Sequence, residues 1–83
     1  MNDARPCGLL ALYRHLVAVH IAAGRSGREV FALAQVSEMA HYRWLLRERT
    51  SGDALLLEQA CEHLAHPLGL SVQIAALNIP TGA

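Results

Sequence analysis

The fold is decided by residues 26–49, which read SGREVFALAQVSEMAHYRWLLRER. Two helix starts lie close together in this stretch. Ser26 is followed three residues later by Glu29, the spacing of a capping box, in which each side chain accepts a hydrogen bond from the backbone N–H of the other residue. Ser37 is placed to cap a second helix after a tight turn. Two short helices joined by such a turn form a helix-turn-helix unit, and we expect residues 26–47 to carry the function.

Each of these two helices has an apolar side at helical spacing. On the first helix, this side is formed by Val30, Leu33 and Ala34. On the second helix, the apolar side is formed by Ala40, His41, Trp44 and Leu45, and the opposite side by Glu38, Tyr42 and Arg43. The pattern predicts that both helices pack on a core with one face and leave the other face in solvent.

The composition is that of one small domain built from aliphatic residues. The chain has 83 residues, of which 53% are hydrophobic and 5% aromatic, and this length is near the lower limit for a single core. Seven basic residues, all Arg, balance seven acidic ones, so the chain lacks the positive charge that by itself indicates a nucleic-acid partner. There is neither an apolar run of about 18 residues nor a signal-peptide pattern, so we expect a cytoplasmic protein without a membrane partner.

The rest of the chain continues the helical pattern, so the sequence predicts an all-α domain of four to five short helices over residues 1–83. Residues 1–5 are expected to be frayed. The first three helices are predicted at residues 7–23, 27–34 and 38–47, with Gly24 ending the first. A fourth helix follows Asp53, its predicted N-cap, and ends at Pro67. The predicted buried side of this fourth helix consists of Leu56, Leu57, Ala60, Cys61 and Leu64.

The C-terminal tail, residues 70–83, is more apolar than a free terminus needs. Residues 71–77 fit either a further short helix or a short strand, and a strand would have to pair with a second chain. The three consecutive leucines at residues 55–57 cannot all face inward from one helix, and exposed apolar area of this kind indicates an interface. We therefore expect a homodimer. The candidates for the dimer or partner surface are Leu55, Leu70, Val72, Ile74, Leu77 and Ile79.

A known family has residues of the same kinds in the same register. In that family the first helix of the unit begins with Ser and carries Glu three residues on, a Val-Ser pair follows the turn, and the second helix carries an Arg followed by a core residue. The matching positions here are Ser26, Glu29, Ala34, Val36, Ser37, Arg43 and Trp44. Over about residues 16–72 the chain resembles the Cro/repressor-type (Xre-like) helix-turn-helix family. It departs from the family pattern at Phe31, Gln35 and His41.

The resemblance implies a lambda-repressor-like core and a small transcriptional regulator that acts by occupying an operator on double-stranded DNA. The third helix is then expected to enter the major groove, where Arg suits guanine, Glu suits cytosine and an apolar side chain suits the thymine methyl group. The implied base contacts are Glu38, Met39, Ala40, Tyr42 and Arg43. The implied phosphate contacts are Ser26, Arg28, Ser37, Arg47 and Arg49.

An alternative is a non-enzymatic helical protein–protein interaction module. Phage-encoded inhibitors, antitoxins and secretion chaperones are often small, neutral bundles rich in Ala and Leu, so this alternative is an analogy at the level of the fold. It is favoured by the apolar residues that one small core cannot bury.

The five histidines raise the question of a metal or catalytic site. His63 and His66 share a helix face, but Cys61 points to another, so we expect no metal and no cofactor. His20 and His41 fall on apolar stripes and are expected to be core histidines with one hydrogen bond each. Nothing places a cysteine beside a histidine as nucleophile and base, so we expect no catalytic residues and no enzyme activity.

Overall fold

The computed structural model describes residues 5–46 and 53–72, and all regular structure in these residues is helical. The predicted all-α fold is therefore confirmed. The helices are α1 (Arg5–Ala22), α2 (Gly27–Ala34), α3 (Glu38–Leu45) and α4 (Ala54–Ala65), and a 3₁₀ turn at His66–Leu68 follows α4.

The helix limits agree with the prediction in α2 and differ slightly elsewhere. Helix α1 begins and ends earlier than expected, and Arg5, assigned to a frayed terminus, is its first residue. Helix α3 ends at Leu45, about two residues early, and its C-cap is Leu46. The question of a strand or helix at residues 71–77 falls almost entirely outside the described residues.

One core joins all four helices. Helix α1 packs along α4, and α2 and α3 both pack on α1. The buried apolar residues of this core are Leu10, Leu12, Tyr13, Leu16, Val17, Val30, Ala34, Ala40, Trp44, Leu57, Ala60, Cys61, Leu64 and Ala65. No helix in the described part of the chain has the length and hydropathy of a membrane-spanning segment.

Two residues with positive φ place the short helices. Gly24, with φ +102°, ends α1 as predicted, because glycine adopts this backbone conformation without a Cβ clash. Gln35, with φ 63°, ends α2, and its N–H donates to Ala32 O at 3.1 Å. A non-glycine residue in this left-handed conformation costs about 1–2 kcal/mol, so the turn between α2 and α3 is held by its surroundings rather than by local preference.

Polar groups also join α1 to α4 inside the core. His20 is fully buried, and its Nε2 donates to Leu64 O at 2.8 Å, which confirms the predicted core histidine. The thiol of Cys61, also buried as expected, donates to Leu9 O at 3.7 Å. Each bond satisfies a polar group that burial would otherwise leave unpaired, so the two helices are fixed in register as well as packed.

At the start of α4, the predicted burial of Leu56 is wrong, whereas the predicted N-cap position of Asp53 is confirmed. Leu56 is exposed rather than buried, and of the three leucines only Leu57 enters the core. Asp53 is the N-cap residue, but its side chain makes no capping hydrogen bond. Its carboxylate instead faces α3.

Candidate nucleic-acid interface

Both helix starts of the α2–α3 unit are capped as the sequence predicts. Ser26 N donates to Glu29 Oε1 at 2.8 Å, and Glu29 N donates to Ser26 Oγ at 3.2 Å. Ala40 N donates to Ser37 Oγ at 3.1 Å. The two serines are exposed, and each hydroxyl oxygen accepts from its own helix, so each hydroxyl hydrogen is left to donate to a phosphate oxygen or to water.

The inner face of α3, defined as Ala40, His41 and Trp44, is buried against α1 and α2. The Tyr13 ring of α1 lies edge-on to the Trp44 ring, with centroids 5.0 Å apart. Ala40 is only 5% exposed, so it is not available to touch a base, and we remove it from the predicted base contacts. The apolar spacing of α3 predicts that Ala40 is buried. Only the resemblance to the repressor family makes it a candidate base contact.

The Tyr13–His41 pair is the polar centre of this inner face. Tyr13 Oη and His41 Nδ1 are 2.6 Å apart and buried. Burial raises the pKa of Tyr13 well above its usual value, and the neighbouring Cys61 adds to this, so the phenol keeps its proton and can donate it to Nδ1. Burial also lowers the pKa of His41, against an opposing contribution from Glu38, and so favours the neutral imidazole, whose Nδ1 can accept this bond.

The outer face of α3, defined as Glu38, Met39, Tyr42 and Leu46 at its C-cap, lies in solvent. Met39 is 75% exposed and Leu46 is 72% exposed. The predicted base contacts Glu38, Met39 and Tyr42 are thus accessible together on one side of one helix. Leu46 was missed by the sequence analysis, although its position seven residues after Met39 is a helical repeat.

Arg43 lies between the two faces and is held by the N-cap residue of α4. Its Nη2 donates to Asp53 Oδ2 at 3.0 Å, and the indole Nε1 of Trp44 donates to the same oxygen at 3.1 Å. The side chains of Arg43 and Asp53 are 28% and 18% exposed. Arg43 is therefore not the freely solvated arginine that the sequence pattern predicts.

The electrostatic state of this group follows from its geometry. The hydrogen bond from Trp44, followed by the hydrogen bond and positive charge of Arg43, lowers the pKa of the Asp53 carboxyl, although burial opposes the shift. The carboxylate is therefore ionised at neutral pH. Its negative charge largely balances the positive charge of the Arg43 guanidinium beside it. Arg43 Nε is buried without a hydrogen-bond partner, so the remaining donors of the guanidinium lie on its two terminal nitrogens.

The predicted phosphate contacts are only partly described. Arg28 is exposed in the first turn of α2, beside the capped start of that helix. Arg47 and Arg49 lie outside the described residues. Among the described predictions, the structure brings Ser26 and Arg28 together at the start of α2 and leaves Ser37 at the start of α3.

The residues predicted for the dimer or partner surface are also only partly described. Leu55 is exposed, as expected for a surface residue. Leu70 and Val72 are partly buried against the core of their own chain, so they are weaker interface candidates than the sequence suggests. Ile74, Leu77 and Ile79 lie outside the described residues.

Metal ligands do not gather among the described residues. Cys61 is buried, whereas His63 is half-buried and His66 exposed. No group of three or more His, Cys, Asp or Glu side chains within residues 5–46 and 53–72 is arranged to hold a metal ion.

Comparison with known proteins adds no relative to this description. No protein-family model matches the sequence, and no curated protein or solved structure matches it either.

Proposed function

We propose that the protein is a small DNA-binding transcriptional regulator that occupies an operator through α3, with α2–α3 as its helix-turn-helix. The observation that supports this most directly is the division of α3 into a buried inner face and a solvent-exposed outer face. A helix that is anchored by one side and accessible on the other can enter the major groove without disturbing the core.

The outer face, together with Arg43 at its edge, offers chemistry for base edges. Arg43 is suited to the O6 and N7 acceptors of guanine, Glu38 to the N4 donor of cytosine and Met39 to the thymine methyl group. Tyr42 adds an exposed hydroxyl and ring on the same side. These side chains supply the sequence-reading part of the proposed complex.

The positioning contacts come from the helix starts. Ser26 and Ser37 each retain a hydroxyl donor, Arg28 is exposed beside Ser26, and the N-terminus of a helix favours an anion. The chain has no net charge, so we expect few phosphate contacts and a shallow salt dependence of binding. A two-fold dimer would double these contacts and place two copies of α3 about 34 Å apart, one helical turn of DNA.

The test is selection from a randomised library of duplex DNA, followed by titration of the selected duplex at several salt concentrations. We expect one sequence to be enriched. Arg43→Ala should then cost about 1–3 kcal/mol and relax one base position. Arg28→Ala, the matched control, should weaken binding to all sequences about equally and lower the salt slope by about one.

Two results would contradict the proposal. One is the absence of any enriched sequence with folded protein. The other is an enriched sequence for which Arg43→Ala and the exposed Glu38→Ala leave every base preference unchanged.

A second candidate function is protein–protein interaction through the same side of the molecule. It is favoured by the exposed apolar side chains of Met39, Tyr42 and Leu46 on the outer face of α3. Leu55, in the first turn of α4, is exposed as well. Apolar side chains that share one face are more typical of a protein interface than of a solvated helix.

The second candidate is tested by self-association. Sedimentation of Leu46→Ser and Leu55→Ser variants should show a weaker dimer than the wild type if these exposed leucines mediate association. Ile21→Ser, at another exposed apolar position in the last turn of α1, is the matched control. A wild-type monomer at high concentration, or equal weakening by all three changes, would count against this surface as a dimer interface.

A further inference from the structure

Arg43, proposed to read a base, is also held by a hydrogen-bonded group that includes Asp53 and Trp44. One carboxylate oxygen, Asp53 Oδ2, accepts from both Arg43 Nη2 and Trp44 Nε1. Trp44 is buried and cannot move without disturbing the core. The arginine is therefore attached, through one carboxylate, to the largest buried side chain of α3.

From this geometry we infer that Asp53 is a positioning residue for base recognition, which holds the Arg43 guanidinium in the direction that reads guanine. This inference rests on the proposed function and deepens it, because it names the residue that sets the specificity of α3. The bond consumes one of the five guanidinium donors, and the buried Nε removes a second. Three donors remain on the terminal nitrogens, and a bidentate contact to guanine O6 and N7 needs two.

The energetic reason lies in what a free arginine would do. A long unrestrained side chain loses conformational freedom when it binds, and its full charge attracts any phosphate regardless of sequence. A carboxylate hydrogen-bonded to Nη2 reduces the first cost, because the guanidinium is ordered before DNA arrives. It also reduces the second effect by balancing the charge. Both changes raise the ratio of specific to non-specific binding.

Asp53 is better placed for this role than for capping. A capping aspartate turns its carboxylate to the backbone N–H groups of its own helix. Asp53 makes no such bond and instead crosses to two side chains of α3. The first turn of α4 therefore lacks a capping hydrogen bond that would contribute about 1 kcal/mol, because the carboxylate binds side chains of α3 instead.

The experiment compares Asp53→Ala with the wild type on two duplexes, the selected sequence and the same sequence with its Arg43-dependent guanine replaced. We expect discrimination between them to fall about three- to tenfold in Asp53→Ala. Affinity for an unrelated duplex should be unchanged or higher, because a negative charge has been removed. Asp53→Asn keeps an acceptor for Trp44 and a good N-cap, so it should keep the fold and show an intermediate loss of discrimination.

A double variant separates positioning from a structural role. Asp53→Ala introduced into Arg43→Ala should cause no further loss of discrimination, because the two residues act through one contact. A structural role of Asp53 would instead lower the melting temperature and weaken binding to all duplexes by the same factor. That result, or unchanged discrimination in Asp53→Ala, overturns the inference while leaving the proposed function intact. If the wild type enriches no sequence, the proposed function fails and the inference fails with it.

Discussion

The inner and outer faces of α3 differ in how their side chains are held. On the inner face, Trp44 and His41 are buried and lie in ring contact with Tyr13. On the outer face, Met39 and Leu46 are mostly in solvent. An eight-residue helix is too short to persist alone in water, so α3 depends on the packing of its inner face to stay folded. The residues that anchor α3 are therefore largely distinct from those proposed to read DNA, and the two sets can be changed separately.

The largest expected effect that distinguishes the two faces is that of Trp44→Ala. Removing this buried ring should lower the free energy of unfolding by about 3–5 kcal/mol, because it leaves a cavity beside Tyr13. It also removes the indole donor to Asp53. The measurement is urea denaturation followed by circular dichroism.

Met39→Ala is the matched control on the outer face. Because Met39 is 75% exposed, its truncation should change the free energy of unfolding by no more than about 0.5 kcal/mol. Equal effects of the two changes would mean that the faces of α3 are not energetically distinct.

A smaller effect is expected from two tyrosine hydroxyls on opposite faces. Tyr13→Phe removes the hydrogen-bond partner of His41 Nδ1 and leaves this buried nitrogen unpaired, so it should cost about 1–3 kcal/mol. Tyr42→Phe removes an exposed hydroxyl and should cost less than about 0.5 kcal/mol. Thermal unfolding of both variants under one condition measures the difference, and a Tyr13→Phe protein as stable as the wild type would show that the buried bond contributes little.

The smallest expected effect is a pH dependence of stability caused by His41 on the inner face. Burial lowers the pKa of His41, so the unfolded chain accepts a proton more readily than the folded one. The free energy of unfolding should therefore fall as pH falls below about 6.5, with a slope of at most about 1.4 kcal/mol per pH unit for one proton.

His41→Leu tests this slope. The variant has no imidazole at this site, so its stability should fall less than that of the wild type between about pH 7.5 and about pH 5.5. Every other titrating group is shared by the two proteins, so their contributions cancel in the comparison. Parallel curves would show that His41 does not contribute to the pH dependence.

The local signals in the sequence were enough to predict the α2–α3 unit. The capping box at Ser26 and Glu29 and the cap at Ser37 depend on residues a few positions apart, and all three appear as predicted. The apolar period likewise placed His20 and His41 in the core, because a histidine on such a stripe needs only one partner to be buried. These features follow from neighbours along the chain.

Competition between distant partners was not predictable in the same way. The Asp53 carboxylate could accept from the backbone N–H groups of α4 or from two side-chain donors in α3, nine and ten residues earlier in the chain. Capping rules, which use only neighbouring residues, predict the backbone partners. The choice between Leu56 and Leu57 likewise depends on where α1 and α2 lie against α4. Both features lie at the start of α4, where packing between helices decides the outcome and the sequence of the helix itself does not.

The thiol of Cys61 makes the closure of α1 on α4 chemically observable. Burial, followed by the charges of Glu58 and Glu62, raises the pKa of this thiol to about 12, so almost no reactive thiolate exists while the helices are packed. Alkylation of Cys61 must then wait for α1 to separate from α4. In a Cys7→Ser protein, whose only thiol is Cys61, the alkylation rate would report how often this small core opens, without any added probe.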